Sequence, residues 1–231
     1  MATTDAAAVA PGTARVHPPD VQSDAYLVWL RELLWPDRVE RFGGGLLVSS
    51  APVPEHQLAV ADLSAWLLAW CRQSGLGEVL PGTELRLEGH GRPRPTRRRA
   101  PDNGVPDLLL YRFANPRCRR VPSGPRGRPA GYVEGAPDLL VEVLSPSTDE
   151  YDLTVKRRAF AAAGVDHYWV LDWTARTALV LTRPEAGDYR DEATVAWAEL
   201  RWPPAGDAGS ARWGDHPLFP PASSGASARE S

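Results

Sequence analysis

Cysteine, lysine and long apolar runs are all scarce in this sequence. The scarcity of cysteine and of apolar runs excludes disulfide-rich and membrane-spanning proteins. The two cysteines, Cys71 and Cys118, have neither the spacing of a metal-binding motif nor the number that a disulfide framework needs, which is typical of a reducing cytoplasm. The longest apolar run, Ala65 to Cys71, is far too short to span a bilayer. The first ten residues contain Asp5 and no basic residue, so we expect a cytoplasmic protein with no secretory signal and no membrane partner.

Lysine is the rarest of the charged residues. Of the 26 basic residues, 25 are arginine and one is lysine, Lys156. The composition indicates a coding bias that turns interchangeable surface cations into arginine, so a surviving lysine marks a place where a guanidinium does not serve. An ammonium is a compact point charge, whereas a guanidinium is a broad planar fork that keeps its proton. The alternative is an ordinary helical ion pair with Asp152, four residues earlier.

Signatures of covalent catalysis are also lacking, because we find neither a Gly-x-Ser-x-Gly elbow nor a suitable Cys/His pair. An apolar content of 43% and nine tryptophans indicate a globular protein. The net charge of −3 does not favour nucleic acid as a partner, but the arginines are unevenly distributed. Five lie within 92–99 and five more within 117–128.

Hydrophobic periodicity predicts one α/β domain at residues 23–219, between a disordered N-terminal segment (1–22) and a disordered tail (220–231). We expect a mixed β-sheet flanked by helices. The predicted helices are 24–34, 55–73 and 149–163, the last ended by Gly164. The predicted strands are a pair within 39–49 bent at 43–45, then 83–87, 105–112 and 138–144, and a closing hairpin of 167–172 and 177–182. Both Arg-rich stretches are predicted loops, the second reaching Gly131.

Three acidic residues in or beside the apolar strands are candidates for the chemistry: Asp107, Asp138 and Glu142. Asp138 and Glu142 share one face of a strand, but four residues of strand separate them by about 13 Å. Two carboxylates on one Mg²⁺ need oxygens about 2.1 Å from the ion, which excludes that pair. Asp107 begins a different strand and can lie beside Glu142 across the sheet. We therefore predict the pair Asp107 and Glu142, and interpret Asp138 as a strand-start residue after a proline turn.

Lys156 is predicted to point toward this acidic pair. Leu153, Lys156 and Phe160 fall at i, i+3 and i+7 of the third predicted helix, on one stripe that should face the sheet. A cation among sheet-facing apolar residues is costly unless it is paired or functional. The ammonium could thus reach Asp107 and Glu142.

Short segments between Val39 and Asp172 match a known family. They are 39–40, 45–47, 51–52, 56–57, 105–107 and 137–148, followed by Asp152, Lys156, 164–165 and 168–172. Together they resemble the PD-(D/E)XK nuclease superfamily and, within it, the Uma family of restriction-endonuclease-like proteins, over about residues 25 to 200. The run from Pro137 to Asp172 is specific, whereas Val-Pro-Asp at 105–107 is weak by itself.

This resemblance implies a restriction-endonuclease-like fold with a mixed central β-sheet flanked by helices. It makes Asp107 and Glu142 the acids that bind Mg²⁺ (or Mn²⁺), and we add the carbonyl of Val143 as a third metal ligand. Where the superfamily's core pattern has a lysine two residues after the acid, this chain has Leu144. The resemblance places the lysine on the next helix, at Lys156.

Two further residues, Glu40 and His56, match family positions near the site. We predict a catalytic role for Glu40 and a DNA contact for His56. Arg97, Arg98 and Arg99 lie in the first Arg-rich stretch and are predicted to contact phosphates. The alternative for these arginines is a solvated loop in a sequence biased toward arginine.

The leading prediction is a metal-dependent DNA endonuclease that hydrolyses phosphodiester bonds. Asp107 and Glu142 hold the Mg²⁺, and Lys156 positions the water or stabilises the transition state. The alternative is a catalytically inactive protein with the nuclease fold that serves as a DNA-binding or regulatory module. A glycosidase with paired acids is a third possibility, but we find no aromatic-lined cleft for a sugar. DNA is the expected partner, and a homodimer is left open.

Overall fold

The computed structural model describes residues 38–42, 45–49, 52–87, 102–124, 131–145, 149–204, 207, 209–217 and 219. The predicted N-terminal segment, the predicted helix 24–34, Arg97, Arg98, Arg99 and the predicted tail lie outside the described residues.

Two long sheets and two helical segments make up most of this described part. The strands are β1 (Arg38–Phe42), β2 (Gly45–Ser49), β3 (Gly77–Pro81), β4 (Leu85–Leu87), β5 (Asp102–Gly104), β6 (Leu108–Arg112), β7 (Cys118–Val121), β8 (Tyr132–Gly135), β9 (Leu139–Val143), β10 (His167–Asp172), β11 (Thr177–Glu185), β12 (Asp188–Ala196), β13 (Arg201–Trp202) and β14 (Ala211–Arg212). The helices are α1 (Pro54–Ser74), α2 (Asp149–Tyr151), a π-helical turn (Asp152–Lys156) and α3 (Arg157–Ala163). Short 3-10 turns lie at Trp197–Glu199 and Trp213–Asp215.

Both long sheets are mixed, which confirms the predicted α/β class. Sheet 1 has the order β2-β1-β5-β4-β8-β7, and sheet 2 has the order β12-β11-β10-β9-β6-β3. One pair in each sheet is parallel: β4 with β8, and β9 with β10. The parallel β9–β10 pair is joined by the segment 149–163, which is the helical crossover that parallel neighbours require. Strands β13 and β14 form a separate antiparallel ribbon.

Sheet 2 is buried on both faces around β9, whose five residues are all buried. Leu139, Val141 and Val143 pack on the face covered by α1. Leu140 packs on the other face, in a second core shared with α3 and with sheet 1. A strand covered on both faces reads as a continuous apolar run, which is why Leu139–Val143 was recognisable in the sequence. Glu142 is the charged exception within it.

A group of tryptophans fills the core beneath α1. Trp66 of α1 stacks on Trp169 of β10 with ring centroids 6.3 Å apart, and on Trp213 at 6.1 Å. Trp197 stacks on Trp213 at 5.1 Å. Trp202 meets Trp169 edge-on. The segment after β12 is therefore held against α1 and sheet 2 by aromatic packing.

Most predicted elements are confirmed, but seven observed strands were not predicted: β3, β5, β7, β8, β12, β13 and β14. The predicted strand pair at 39–49, the helix 55–73, the strand 138–144 and the closing hairpin correspond to observed elements. The predicted loop after Arg112 contains β7, and β12 extends the hairpin into a three-stranded meander. None of the helices in the described part of the chain is long and apolar enough to cross a membrane.

Candidate functional site

The two predicted acids lie on neighbouring strands. Strands β6 and β9 are antiparallel, with Leu108 opposite Val141, so Asp107 continues the ladder opposite Glu142. The backbone N–H of Val143 donates to Asp107 Oδ2 at 2.8 Å, which fixes the Asp107 carboxylate at the end of β9. Both acids are 3% exposed. The sheet therefore brings Asp107 and Glu142 side by side on neighbouring strands, as the sequence analysis predicted.

Asp138 lies at the opposite end of the same strand pair. Its carboxylate accepts hydrogen bonds from the backbone N–H and the Nε of Arg112, both at 2.8 Å, and from Asn115 Nδ2 at 2.9 Å. These donors tie the end of β6 and the following turn to the start of β9. Asp138 thus has the structural surroundings expected of a strand-start residue.

Lys156 is surrounded by three carboxylates. Its Nζ lies 3.0 Å from Glu142 Oε1, 3.1 Å from Glu40 Oε2 and 2.9 Å from Asp152 Oδ1. All four side chains are 3% exposed or less. The only lysine of the chain is thus a buried ammonium at the centre of an acidic cluster.

Glu40 connects this cluster to the segment that carries Asp107. It lies on β1 of sheet 1, and its Oε1 accepts the backbone N–H of Val105 at 2.6 Å. Its other oxygen, Oε2, faces Lys156. One carboxylate therefore holds both the turn that enters β6 and the ammonium.

His56 lies against the other side of Asp107. It is near the start of α1, it is 5% exposed, and its Nε2 is 3.0 Å from Asp107 Oδ2. Its Nδ1 is buried and has no hydrogen-bond partner. His56, the predicted DNA contact, therefore lies inside the acidic cluster, where its side chain contacts Asp107 and is shielded from solvent.

The cluster carries more negative than positive charge. Burial raises the pKa of Glu142 well above its usual range; Lys156 opposes this, while Asp152, Asp107 and Glu40 add to it. Burial alone would lower the pKa of Lys156, but Glu142, Glu40 and Asp152 outweigh it and hold that pKa well above the ordinary value. The cluster therefore holds three carboxylates at the Lys156 ammonium and a fourth, Asp107, on the strand beside Glu142.

The donor atoms suit a hard divalent cation. Asp107 and Glu142 supply carboxylate oxygens, which are the ligands that Mg²⁺ and Mn²⁺ prefer. Among the residues that the structure describes, no group of three or more His, Cys, Asp or Glu side chains already has the arrangement of a metal centre. The two acids together with the excess of negative charge fit such an ion.

Asp152 is the member of the cluster that the sequence analysis matched to the family but gave no role beyond an ordinary ion pair. The periodicity of a regular helix predicted the inward stripe Leu153, Lys156 and Phe160. In the structure the buried residues are Asp152, Lys156 and Phe160, whereas Leu153 is only partly buried. The difference arises because the π-helical turn Asp152–Lys156 changes the helical register. The signal in the sequence was the spacing of four residues between Asp152 and Lys156.

Comparison with known proteins decides the family. The family model described as Uma2, putative restriction endonuclease, matches residues 31–203. The chain belongs to this family. All the members of the cluster, from Glu40 to Lys156, lie within the matched range. No curated protein matches the chain.

A solved structure supports the fold of this Uma2 family member. The crystal structure of a putative nuclease belonging to DUF820, from Anabaena variabilis ATCC 29413, is similar with a TM-score of 0.55. The similarity covers 78% of this chain and 89% of that one, at 16% sequence identity. The two proteins therefore share a fold.

Proposed function

We propose that this Uma2 family member is a divalent-metal-dependent DNA endonuclease, with its reaction centre at Asp107, Glu142 and Lys156. The observation that carries the proposal is the burial of the chain's only lysine against Glu142, one strand from Asp107. Buried ionisable groups with perturbed pKa values are concentrated at functional sites. The family supplies the reaction class, and DNA is the substrate that the family implies.

Asp107 and Glu142 would hold the metal, with the Val143 carbonyl beside them as a further ligand. A bound Mg²⁺ lowers the pKa of a coordinated water and offsets the charge of the scissile phosphate. The backbone N–H of Val143 and His56 keep the Asp107 carboxylate oriented. Glu40 fixes the turn that leads into Asp107 through Val105.

Lys156 contributes a fixed positive charge. Although burial opposes the charged form, the surrounding acids hold its pKa well above the ordinary value, so the ammonium keeps its proton at neutral pH. It therefore acts as a hydrogen-bond donor that orients the water or stabilises negative charge on the phosphate, and not as a general base.

Cleavage of supercoiled plasmid tests the proposal. Wild-type protein should nick the plasmid with Mg²⁺ or Mn²⁺ and lose the activity in EDTA. Asp107→Ala and Glu142→Ala should each abolish nicking while the thermal midpoint changes little, because removing one of two close acids relieves repulsion in the metal-free protein. Asp149→Ala, an exposed acid of α2, is the matched control and should cleave normally.

A second candidate function is a nuclease-fold module that binds DNA without cutting it. The observation in its favour is that the described residues contain no three-ligand metal centre, and that Lys156 already has three carboxylate neighbours. DNA binding with no nicking in either metal would support this module. A sharp fall in the thermal midpoint of both alanine variants would instead make the two acids structural.

A further inference from the structure

The helical segment that carries Lys156 is interrupted by a π-helical turn. The backbone N–H of Arg157 donates to the carbonyl of Asp152, five residues back, which is the bond that defines a π turn. In a regular α-helix each step of four residues turns about 40° too far, so two steps would place Phe160 about 80° away from Asp152. The extra residue in the turn cancels much of that drift. Asp152, Lys156 and Phe160 therefore all face the interior.

Tyr168 holds the turn from outside the helix. Its hydroxyl, from the second residue of β10, donates to the same Asp152 carbonyl at 3.1 Å. Tyr168 is fully buried, and its ring packs edge-on against Phe160. The Asp152 backbone thus accepts one hydrogen bond from its own helix and one from sheet 2. Single π turns of this kind occur frequently at functional sites.

The three carboxylates around Lys156 differ in their positions and in their other contacts. Glu142 is one of the two acids proposed to hold the metal, and Glu40 also accepts the backbone N–H of Val105. Asp152 lies on the same helical segment as Lys156, with its Oδ1 2.9 Å from Nζ. A long, flexible lysine side chain has many rotamers, and one fixed neighbour on its own helix removes most of them.

We propose that Asp152, held by the π-helical turn and Tyr168, is the positioning residue that aims the Lys156 ammonium at Glu142. Its effect on the reaction rests on the proposed nuclease function, whereas its hold on the ammonium does not. In this role Asp152 acts through Lys156. Misplacing a reacting group by about 1 Å can cost on the order of 100-fold in rate.

A double-mutant cycle tests this role. Asp152→Asn keeps the shape of the side chain and removes its charge; it should lower kcat for plasmid nicking by about 10- to 100-fold with KM for DNA unchanged. In a Lys156→Met background the same substitution should change the residual single-turnover rate by less than about twofold, because residues that act through one another are not additive. Asp149→Asn, an exposed acid of α2, is the matched control and should be silent in both backgrounds. An equal loss in both backgrounds would overturn the proposal.

The single lysine allows a direct measurement of the ammonium itself. Protein grown with lysine labelled by ¹⁵N at the side-chain nitrogen should give one ammonium resonance, from Lys156, protected from exchange with water by its burial. Asp152→Asn should shift this resonance and speed its exchange, and Asp149→Asn should leave it unchanged. An unchanged resonance in Asp152→Asn would overturn the proposal, whether or not the protein cleaves DNA.

These two measurements separate the positioning role from the nuclease function. If wild-type protein does not nick DNA but the resonance responds to Asp152→Asn, the proposed function fails and the positioning of Lys156 stands. Tyr168→Phe provides a second route if Asp152→Asn does not fold, since it removes only the hydroxyl that holds the turn. It should move the resonance in the same direction by a smaller amount, and no movement would count against the proposal.

Discussion

At the scale of single residues, the choice of lysine over arginine at position 156 is the most informative feature of the chain. Lys156 is enclosed by Glu40, Glu142 and Asp152, each about 3 Å from the same nitrogen. A guanidinium needs room for a planar fork with five donors, and three carboxylates that converge on one point do not provide it. A sequence that uses arginine almost everywhere else keeps an ammonium here for a geometric reason.

Lys156→Arg should therefore reduce DNA cleavage by about 100-fold or more although the charge is conserved. The larger group must displace either the Glu142 carboxylate or the reacting water. DNA binding, measured in Ca²⁺ by fluorescence anisotropy, should stay within a few-fold of wild type. The reverse exchange Arg158→Lys, on the exposed face of α3, is the control and should change neither quantity. Full activity of Lys156→Arg would show that position 156 does not require a lysine.

Residue types and spacing alone could predict part of this site. The neighbourhood of Asp107 and Glu142 follows from two short apolar strands, because antiparallel pairing of 108–110 with 139–141 leaves them side by side. The role of Asp152 could not be predicted, since it depends on a π-helical turn that no periodicity of 3.6 residues reveals. The contact between His56 and Asp107 could not be predicted either, because the two residues are 51 positions apart in the sequence.

At the scale of elements, charged side chains explain why two of the missed strands, β7 and β12, were not predicted. Strand β12 runs from Asp188 to Ala196 at the edge of sheet 2, and most of its residues are at least partly exposed. Strand β7 has Arg119 and Arg120 at its centre and lies at the edge of sheet 1. Edge strands carry charges that discourage pairing with other chains, so apolar alternation does not reveal them.

The close pairing of β7 with β8 predicts that Gly135 does not tolerate a side chain. Gly135 has a φ of 97°, and a Cβ there would overlap the carbonyl oxygen of Arg117. Gly187, in the turn between β11 and β12, has a φ of 88° but open space around it. Gly187→Ala should cost about 1 kcal/mol for the backbone strain, whereas Gly135→Ala should cost at least about 3 kcal/mol.

Urea unfolding followed by circular dichroism gives both free energies of unfolding on one scale. Because the two positions share the left-handed backbone, their difference isolates the steric clash at Gly135. Equal losses in the two variants would show that β7 and β8 can separate without cost.

At the scale of the whole molecule, stability should depend on pH through His167. This residue begins β10 beside Trp202, with ring centroids 5.5 Å apart. Burial lowers the pKa of His167 below its ordinary value of 6.5; Asp166, Asp138 and Asp207 oppose this, and Arg112 reinforces it. The folded protein therefore binds the proton less readily than the unfolded chain.

The free energy of unfolding should thus fall as the pH is lowered below about 6.5, and this contribution should be fully present above that value. His167→Gln removes the titrating group, so its stability should decline less between pH 7 and pH 5 than that of wild type. Thermal unfolding at a series of pH values measures both curves. Parallel curves would mean that the imidazole titrates equally in both states.

The fold class and the main helices could be predicted from the sequence, whereas the division into two sheets could not. The α/β class, the helix 55–73 and the crossover through 149–163 follow from strong apolar patterns. The presence of two six-stranded sheets does not, because several strands have five residues or fewer and pair with partners distant in sequence. The acidic cluster needs both sheets, since Glu40 comes from sheet 1 and Glu142 from sheet 2.

The stacked tryptophans have an optical consequence. Indole rings about 6 Å apart and nearly parallel share their electronic excitation, so the ultraviolet circular dichroism of such a stack differs from that of the same rings held apart. The stack formed by Trp169, Trp66, Trp213 and Trp197 runs from sheet 2 through α1 to the segment after β12. Loss of that coupled signal reports that the segment has left α1, and it does so without any probe at the acidic cluster.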